Sequence, residues 1–539
     1  MDVITPPRVV AGGSHDGSGS AAARTRPPGP VPPRRRHPPL PLLLVAGAVT
    51  LLLLLPVGYV AWLAADLGPA RLAELVLRER VARLFWSTVG LVVVTVPLTV
   101  VIGVAAAWVV ERTDLPGRRV WGVLLAAPLA VPAFVTSYAW LGVDPSLGGL
   151  GGGVLIAVSA YFPLVYLPAA ATLRWIDPAE EEVARSLGLS GVAVALRVVV
   201  PQLRLAVLGG ALLVALHLLA EYGAFSMIRF DTFTTAIVEQ YQSTYASAAG
   251  GALAGVLVIL CLFLLAAEAG ARGRARYARV GAGAARRRNR VRLGWWTPLA
   301  LAACAGVVGA SLGVPLVVVM RWLLVGGAGA WVDAGLGEAL AQSVGYGVYG
   351  AAGCVLLALP VAWLTVRHPG AFSRVADAAN YVASSIPGIV VALALTTVVI
   401  RVLPQVYQTV ALVLAAYVVL FIPRALVTLR AGLAQAPERL EEAARALGRP
   451  PLNAVVTITL RRAAPSMLAA FALVFLAVVN ELTATLLLSP AGTGTLATRF
   501  WSLSLDLDYA GAAPFAAIMI VMSAPVTYLL LRQATAGGR

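Results

Sequence analysis

Apolar positions in this chain fall into long blocks, unlike the alternating or one-face patterns of soluble strands and helices. The first block covers about 41 to 64, and others near 20 residues long follow at about 85 to 110, 120 to 141, 151 to 173, 201 to 220 and 248 to 268. After an arginine-rich break the pattern resumes at about 296 to 320, 341 to 366, 378 to 401, 408 to 428, 466 to 486 and 511 to 532. A helix of about 20 apolar residues crosses about 30 Å of hydrocarbon. The pattern therefore predicts an all-α membrane protein of about twelve spanning helices, six plus six.

Residues 1–39 are rich in Pro, Gly, Ser and Arg and cannot bury a core, which predicts a disordered tail. Arg34-Arg35-Arg36 ahead of the first block resemble the charged start of an export signal, and Ala61 to Ala65 offer small residues for cleavage. The block is longer than the roughly 7–15 apolar residues of a signal core, so an uncleaved first helix is the expectation. The chain divides into a tail (1–39), a first membrane domain (40–269), a basic connector (270–295) and a second membrane domain (296–539).

Composition sharpens this picture. Hydrophobic residues make up 59% of the 539 positions and charged residues only 12%, against about 25% charged in soluble domains. Basic residues exceed acidic ones by 41 − 25 = 16, and every basic residue counted is arginine. Without lysine the chain cannot form a Schiff base or a G-x-x-x-x-G-K-[ST] phosphate loop. If ATP drives it, another subunit binds the nucleotide. A nucleic-acid partner is not expected, because almost no soluble domain is available to carry a basic patch. Cys261, Cys304 and Cys354 lie singly in apolar runs and read as packing residues. His15, His37, His217 and His368 do not cluster, so no metal site is assigned.

Arginine placement sets the expected orientation. With both termini in the cytoplasm, 33 arginines fall on the cytosolic side and 8 opposite: Arg71, Arg78, Arg80, Arg83, Arg229, Arg321, Arg401 and Arg499. Four of the eight, Arg71, Arg78, Arg80 and Arg83, occupy the first external connection. The connector's nine arginines between 270 and 294 fit a cytosolic segment beside anionic lipid headgroups.

An internal repeat runs through the chain. Glu181-Glu182-Val183-Ala184-Arg185-Ser186-Leu187-Gly188 recurs 260 residues later as Glu441-Glu442-Ala443-Ala444-Arg445-Ala446-Leu447-Gly448. The same shift carries Glu221 onto Glu481, and smaller shifts match Arg119 and Pro132 with Arg374 and Pro387. Thr232-Phe233-Thr234-Thr235 matches Thr495-Leu496-Ala497-Thr498. Units of six spans enter the membrane in the same sense, related by an axis along its normal, and a pathway between them follows.

Each copy of the repeated segment starts with a proline before acidic residues, Pro178 before Glu180 and Pro437 before Glu438, which suits a helix N-terminus. Small residues on a short helix would let another protein approach, and glycine can end it. Two such helices in register have the form of docking knobs; a single one would read equally as an interfacial connector.

These segments resemble the E-A-A-x-x-x-G-(x)9-I-x-L-P loop of ABC importer permeases, the membrane subunits of binding-protein-dependent uptake systems. The first copy carries Glu182, Ala184, Gly188 and Pro201, with Val183, Val198 and Val200 at the remaining motif positions. The second carries Glu442, Ala443, Ala444, Gly448, Ile458 and Leu460, and departs at Arg461, where the proline would stand; Pro465 is a substitute. The resemblance implies a type I importer-like fold in a bacterial cytoplasmic membrane and an ATPase-coupling role for these residues. It also implies two cytosolic ABC ATPase subunits, which hold the ATP and Mg2+, and an extracytoplasmic substrate-binding protein. This chain itself needs no cofactor and catalyses no bond chemistry. The fused format, with Glu221-Tyr222-Gly223-Ala224 and Asn480-Glu481-Leu482-Thr483 ahead of the threonine segments, looks most like ferric-iron permeases. Thiamine permeases share much of it.

Glu221 and Glu481 close very apolar blocks, where ionised groups are costly and usually face a cavity. They are the candidate pathway residues, with oxygen donors suited to a hard cation; the alternative is a hydrated position at the membrane interface. Glu111 to Arg119 faintly resembles the D-x-x-G-R-R loop of ion-gradient-driven carriers, which share the six-plus-six plan, but Arg367-His368-Pro369-Gly370 in the second half lacks the aspartate. His217 is expected to pack within the bundle.

Overall fold

Helix α1 (Leu40–Val76) outlasts its apolar block, bends at Gly68, whose φ is 69°, and passes almost directly into α2 (Glu79–Arg112). The computed structural model describes residues 39–244, 247–272, 290–332 and 335–536. The expected tail, apart from residue 39, and most of the basic connector lie outside the described residues. From Pro38 onward the chain forms one unit.

After α2 come the bent pair α3 (Arg118–Ala130) and α4 (Ala133–Val143), the span α5 (Gly149–Trp175), the short helix α6 (Pro178–Ser186) and the span α7 (Gly191–Ala220). Two shorter helices, α8 (Gly223–Met227) and α9 (Phe233–Thr244), lead into α10 (Ser247–Arg272). The second half repeats the series. It comprises α11 (Gly294–Gly326), α12 (Leu336–Arg367), the bent pair α13 (Ala371–Ala383) and α14 (Gly388–Val402), α15 (Val410–Ala434) and the short α16 (Glu438–Ala446). It ends with α17 (Pro451–Val479), α18 (Thr483–Leu488), α19 (Leu496–Leu505) and α20 (Tyr509–Ala536). Among the described residues there is no strand, only an isolated bridge between Thr113 and Val291.

Ten of these helices are long and apolar enough to span a membrane unaided. The blocks expected to form straight spans at 120 to 141 and 378 to 401 are instead bent, by 97° between α3 and α4 and by 109° between α13 and α14. The breaks fall before Pro132 and Pro387, whose side chains exclude the preceding residue from helical geometry. Chain parity shows that both pairs still cross. The C-terminal ends of α2 and α5 meet through the Arg174–Glu111 ion pair, and α5, at about 40 Å, spans the bundle. Its start is therefore at the opposite face, and α3–α4 must carry the chain there. In the second half, Arg367 at the end of α12 donates to the Ala436 carbonyl after α15, at 2.8 Å, so α13–α14 makes the same journey.

Both short helices consequently lie on one face. Glu268 near the end of α10 accepts from the Tyr381 hydroxyl of α13 at 3.0 Å, tying that face together across the halves.

Close helix contacts repeat as well. A Cβ on Gly103 of α2 would stand 2.9 Å from Val165 of α5, and one on Gly210 of α7 2.9 Å from the Leu164 carbonyl. Gly350 of α12 similarly meets Val478 of α17 and Tyr417 of α15. Small residues let backbones approach where lipid offers no hydrophobic drive. The first span of each half packs on the other half: α1 lies against α12, α13 and α14, with Arg401 stacked 4.4 Å from the Trp62 ring, and α11 lies against α4, with Val318 beside Gly142.

Of the four arginines expected in the first external connection, Arg71, Arg80 and Arg83 lie on helices and Arg78 just ahead of α2, and all four meet carboxylates. Arg71 and Arg78 contact Glu74, Arg83 contacts Glu79, and Arg80 contacts Glu239 at 2.5 Å. Three carboxylates thereby offset most of the positive charge of that connection.

Candidate functional site: two short helices and a pair of carboxylates

The acidic helices α6 and α16 are built alike. Asp177 caps α6, accepting the Ala179 N–H at 3.0 Å, and Pro437 precedes α16. Both end on a glycine in the left-handed region, Gly188 at φ 85° and Gly448 at φ 84°. There Leu189 N–H bonds back to Ala184 O at 3.2 Å, and Arg449 N–H to Ala444 O at 3.1 Å. This six-to-one closure needs a residue without a Cβ penalty, which explains the glycine of the motif.

Of the small residues, Ala443, Gly188 and Gly448 are exposed, whereas two turn inward. Ala184 and Ala444 are buried, and they let each helix lie close on its own bundle. The outward surface consists of Glu182, Val183 and Leu187 in one copy and Glu442, Ala443 and Leu447 in the other. Leu187 is 78% exposed and Leu447 86%. A leucine so placed at both repeat positions provides an apolar anchor at the tip of each knob.

A buried ion pair fastens each knob. Arg112, at the end of α2, donates to Glu181 at 2.5 Å; Arg367, at the end of α12, donates to Glu441 at 3.1 Å. Each guanidinium also lies 5.5 Å from the ring of a tryptophan one turn earlier, Trp108 or Trp363. The second copy adds a hydroxyl donated by Thr459 to Glu441. Neither arginine was among the sequence candidates. The signal was present: Ala107-Trp108 with Arg112 recurs as Ala362-Trp363 with Arg367 at a shift of 255, different from the 260 of the acidic segments.

This geometry also accounts for the segment Glu111 to Arg119. Arg112 serves the knob, and Asp114 accepts the Leu293 N–H at 2.8 Å where the connector returns. Pro201 is the second residue of the α-helix that resumes at Val200 after a π-helical turn at Ala195–Val199, and a π-helical turn at Val455–Leu460 occupies the same place before Arg461. The proline is therefore not required for that turn.

Glu221 and Glu481 each stand just past the end of a long helix, α7 or α17. Tyr161, near the midpoint of α5, donates its hydroxyl to Glu221 at 2.5 Å, while the other carboxylate oxygen accepts Ala224 N–H at 2.9 Å. Glu481 accepts Ala484 N–H at 2.9 Å, and Gly388, opening α14, lies against it. The halves meet here: a Cβ on Gly223 would stand 2.8 Å from Leu482, Tyr222 packs on Trp501, and Phe134 on Phe500. Thr234 supplies a 2.7 Å hydrogen bond to the Glu221 carbonyl, so the threonine segment serves the carboxylate motif. His217 packs 5.4 Å from the Tyr161 ring and contacts the Leu213 carbonyl at 2.7 Å. Among the described residues no three His, Cys, Asp or Glu side chains are grouped to hold a metal ion. The three cysteines are buried and free.

A tandem pair of six-span units, each with an acidic helix latched at the same face, defines a membrane transport subunit. The chain belongs to the family of binding-protein-dependent transport system inner membrane components, whose pattern matches residues 70–268 and again 354–536. It is similar to the Fe(3+)-transport system permease protein FbpB 2 of Haemophilus influenzae, at 34% identity over 485 residues, 89% of this chain and 96% of the relative. It is also similar to the sulfate transport system permease protein CysW of Escherichia coli, 29% identical over 39% of this chain and 80% of that relative. A third relative is a probable molybdenum ABC transporter permease protein of Haloferax volcanii, 30% identical over 36% of this chain and 77% of that protein.

Proposed function

We propose that this chain supplies both halves of the translocation pathway of an ATP-driven ferric-iron importer. The observation that carries the reading is the latched pair of short helices on one face, each presenting an exposed leucine and glutamate. Two copies of a cytosolic ATPase dock there and bind ATP and Mg2+; the chain without lysine holds no nucleotide loop of its own. That face and both termini are cytoplasmic, and a substrate-binding protein delivers cargo at the opposite face. Closure of the ATPase pair moves the helices together, and the arginine latches pass that motion to the ends of α2 and α12. Energy enters through contacts that differ between the two states. The iron assignment is supported by likeness to an iron permease over almost the whole chain, whereas the sulfate and molybdenum relatives cover little more than a third.

The test is co-expression with candidate ATPase and binding-protein subunits, followed by reconstitution in liposomes. The expected outcome is a complex that takes up iron only with ATP and binding protein. Transport persisting without ATP would instead establish a carrier driven by an ion gradient.

A further inference from the structure

The two repeat-related carboxylates stand in different surroundings. The shift of 260 that pairs Glu221 with Glu481 also pairs Tyr161-Phe162-Pro163-Leu164 with Phe421-Ile422-Pro423-Arg424. The tyrosine that donates to Glu221 is thus replaced by Phe421, which has no hydroxyl. One turn further on, an apolar residue of the first half is replaced by a charged one.

Arg424, counted above with the cytosolic arginines, instead lies about 21 Å from the start of α15 and about 15 Å from its end, near mid-membrane. Its neighbours Pro423 and Ala425 are buried, yet Arg424 itself is exposed, and its guanidinium makes no hydrogen bond or ion pair among the described residues. Its guanidinium rests 5.3 Å from the Phe421 ring. A Cβ on Gly388 would meet both Glu481 Oε1, at 3.3 Å, and Leu420, one turn before Arg424, at 3.8 Å, so Glu481 stands beside this part of α15. His217 joins Glu221 through the Tyr161 ring, and the Arg424 charge reaches both Glu481 and His217. Across the halves a Cβ on Gly223 would meet Leu482 at 2.8 Å, so groups from both halves face one another here, and His217, Glu221, Arg424 and Glu481 all keep accessible surface in the crevice this would leave between them. An unpaired cation at this depth is expensive and in a membrane protein marks a functional position.

We propose that Arg424 is a tethered counter-cation. It compensates the Glu221–Glu481 pair while the crevice is empty, and a hard trivalent cation displaces it in passing. The proposal rests on the importer reading above and adds to it the residue that keeps the site from becoming a trap. Two carboxylates with a competing guanidinium give a cation oxygen donors without a closed coordination shell, so it is released as readily as it enters.

The experiment uses the purified full chain in lipid nanodiscs with terbium(III), a luminescent hard trivalent ion that Tyr161 beside Glu221 can sensitise. Arg424→Gln should tighten terbium binding at least tenfold over the unsubstituted protein, and adding Glu221→Gln and Glu481→Gln should remove the gain. Arg424→Lys, which keeps the charge, should bind like the unsubstituted chain and serves as the folding control. Unchanged or weaker terbium binding in Arg424→Gln, with a normal gel-filtration profile, would overturn the proposal. If Arg424→Gln does not stay folded, the Arg424→Ala and Arg424→Met variants are read the same way. ATP-dependent iron uptake by the unsubstituted complex is scored separately: if uptake holds but binding does not tighten, only the tether falls.

Discussion

The acidic helices at one face and the carboxylates at mid-depth are both repeat pairs, but they have been treated differently. At the face the copies agree: buried glutamate, buried alanine, exposed glutamate and leucine, left-handed glycine, and an arginine latch stacked on tryptophan. At mid-depth the copies diverge, with Tyr161 against Phe421, Leu164 against Arg424 and His217 against Ala477. Partners arriving as two similar subunits require two similar surfaces. A single particle on the pseudo-axis meets both halves at once, so its site carries no such requirement.

The comparison breaks most sharply at the latches. Removing Arg112 or Arg367 leaves a buried glutamate with only the more exposed Arg185 or Arg445 of its own helix, a loss of up to about 3–5 kcal/mol. Arg112→Ala and Arg367→Ala should each lower the melting temperature and abolish ATPase stimulation by cargo, to the same degree. A large effect from only one would show that the face is symmetric in form but not in use.

At mid-depth, Tyr161→Phe makes the first carboxylate resemble the second and forfeits a hydrogen bond to a charged group, about 1.5–3 kcal/mol. Iron uptake should fall while ATPase co-purification stays unchanged; the converse Phe421→Tyr should be milder. Equal effects of the two would argue that the halves are interchangeable here.

Substituting the exposed leucines tests the knobs without disturbing the fold. Leu187→Glu or Leu447→Glu should leave thermal stability within about 0.5 kcal/mol. Each should weaken ATPase association about tenfold, equivalent to about 1.4 kcal/mol, by titration of the ATPase onto nanodiscs. The smallest effect is expected from Pro201→Arg, which copies the second half's own residue into the first; a change in stability above about 0.5 kcal/mol would contradict the equivalence of the two π-helical turns.

Much of the architecture was legible in the residues. Apolar blocks marked the spans, and the repeated acidic segment marked both knobs. Glu221 and Glu481 were identifiable because a carboxylate in an apolar run is rare. The arginine latches escaped because their repeat shift differs by five residues from that of their partners, and an arginine at a span end reads as a topology signal. Arg424 escaped for a similar reason: it lies inside a block that remains apolar on average, and its significance depends on which residues face it.

Sequence alone determined the membrane environment, the duplication and the short helices, because these follow from hydropathy, periodicity and local backbone chemistry. Only the tertiary structure decided that two spans are broken, that the first helix of each half packs on the other, and that Ala184 and Ala444 turn inward. It also decided that the segments carrying two carboxylates 260 residues apart meet across the halves, with Glu481 beside the turn of α15 that precedes Arg424. Those outcomes depend on contacts between distant segments, and no local pattern encodes which helix faces will meet.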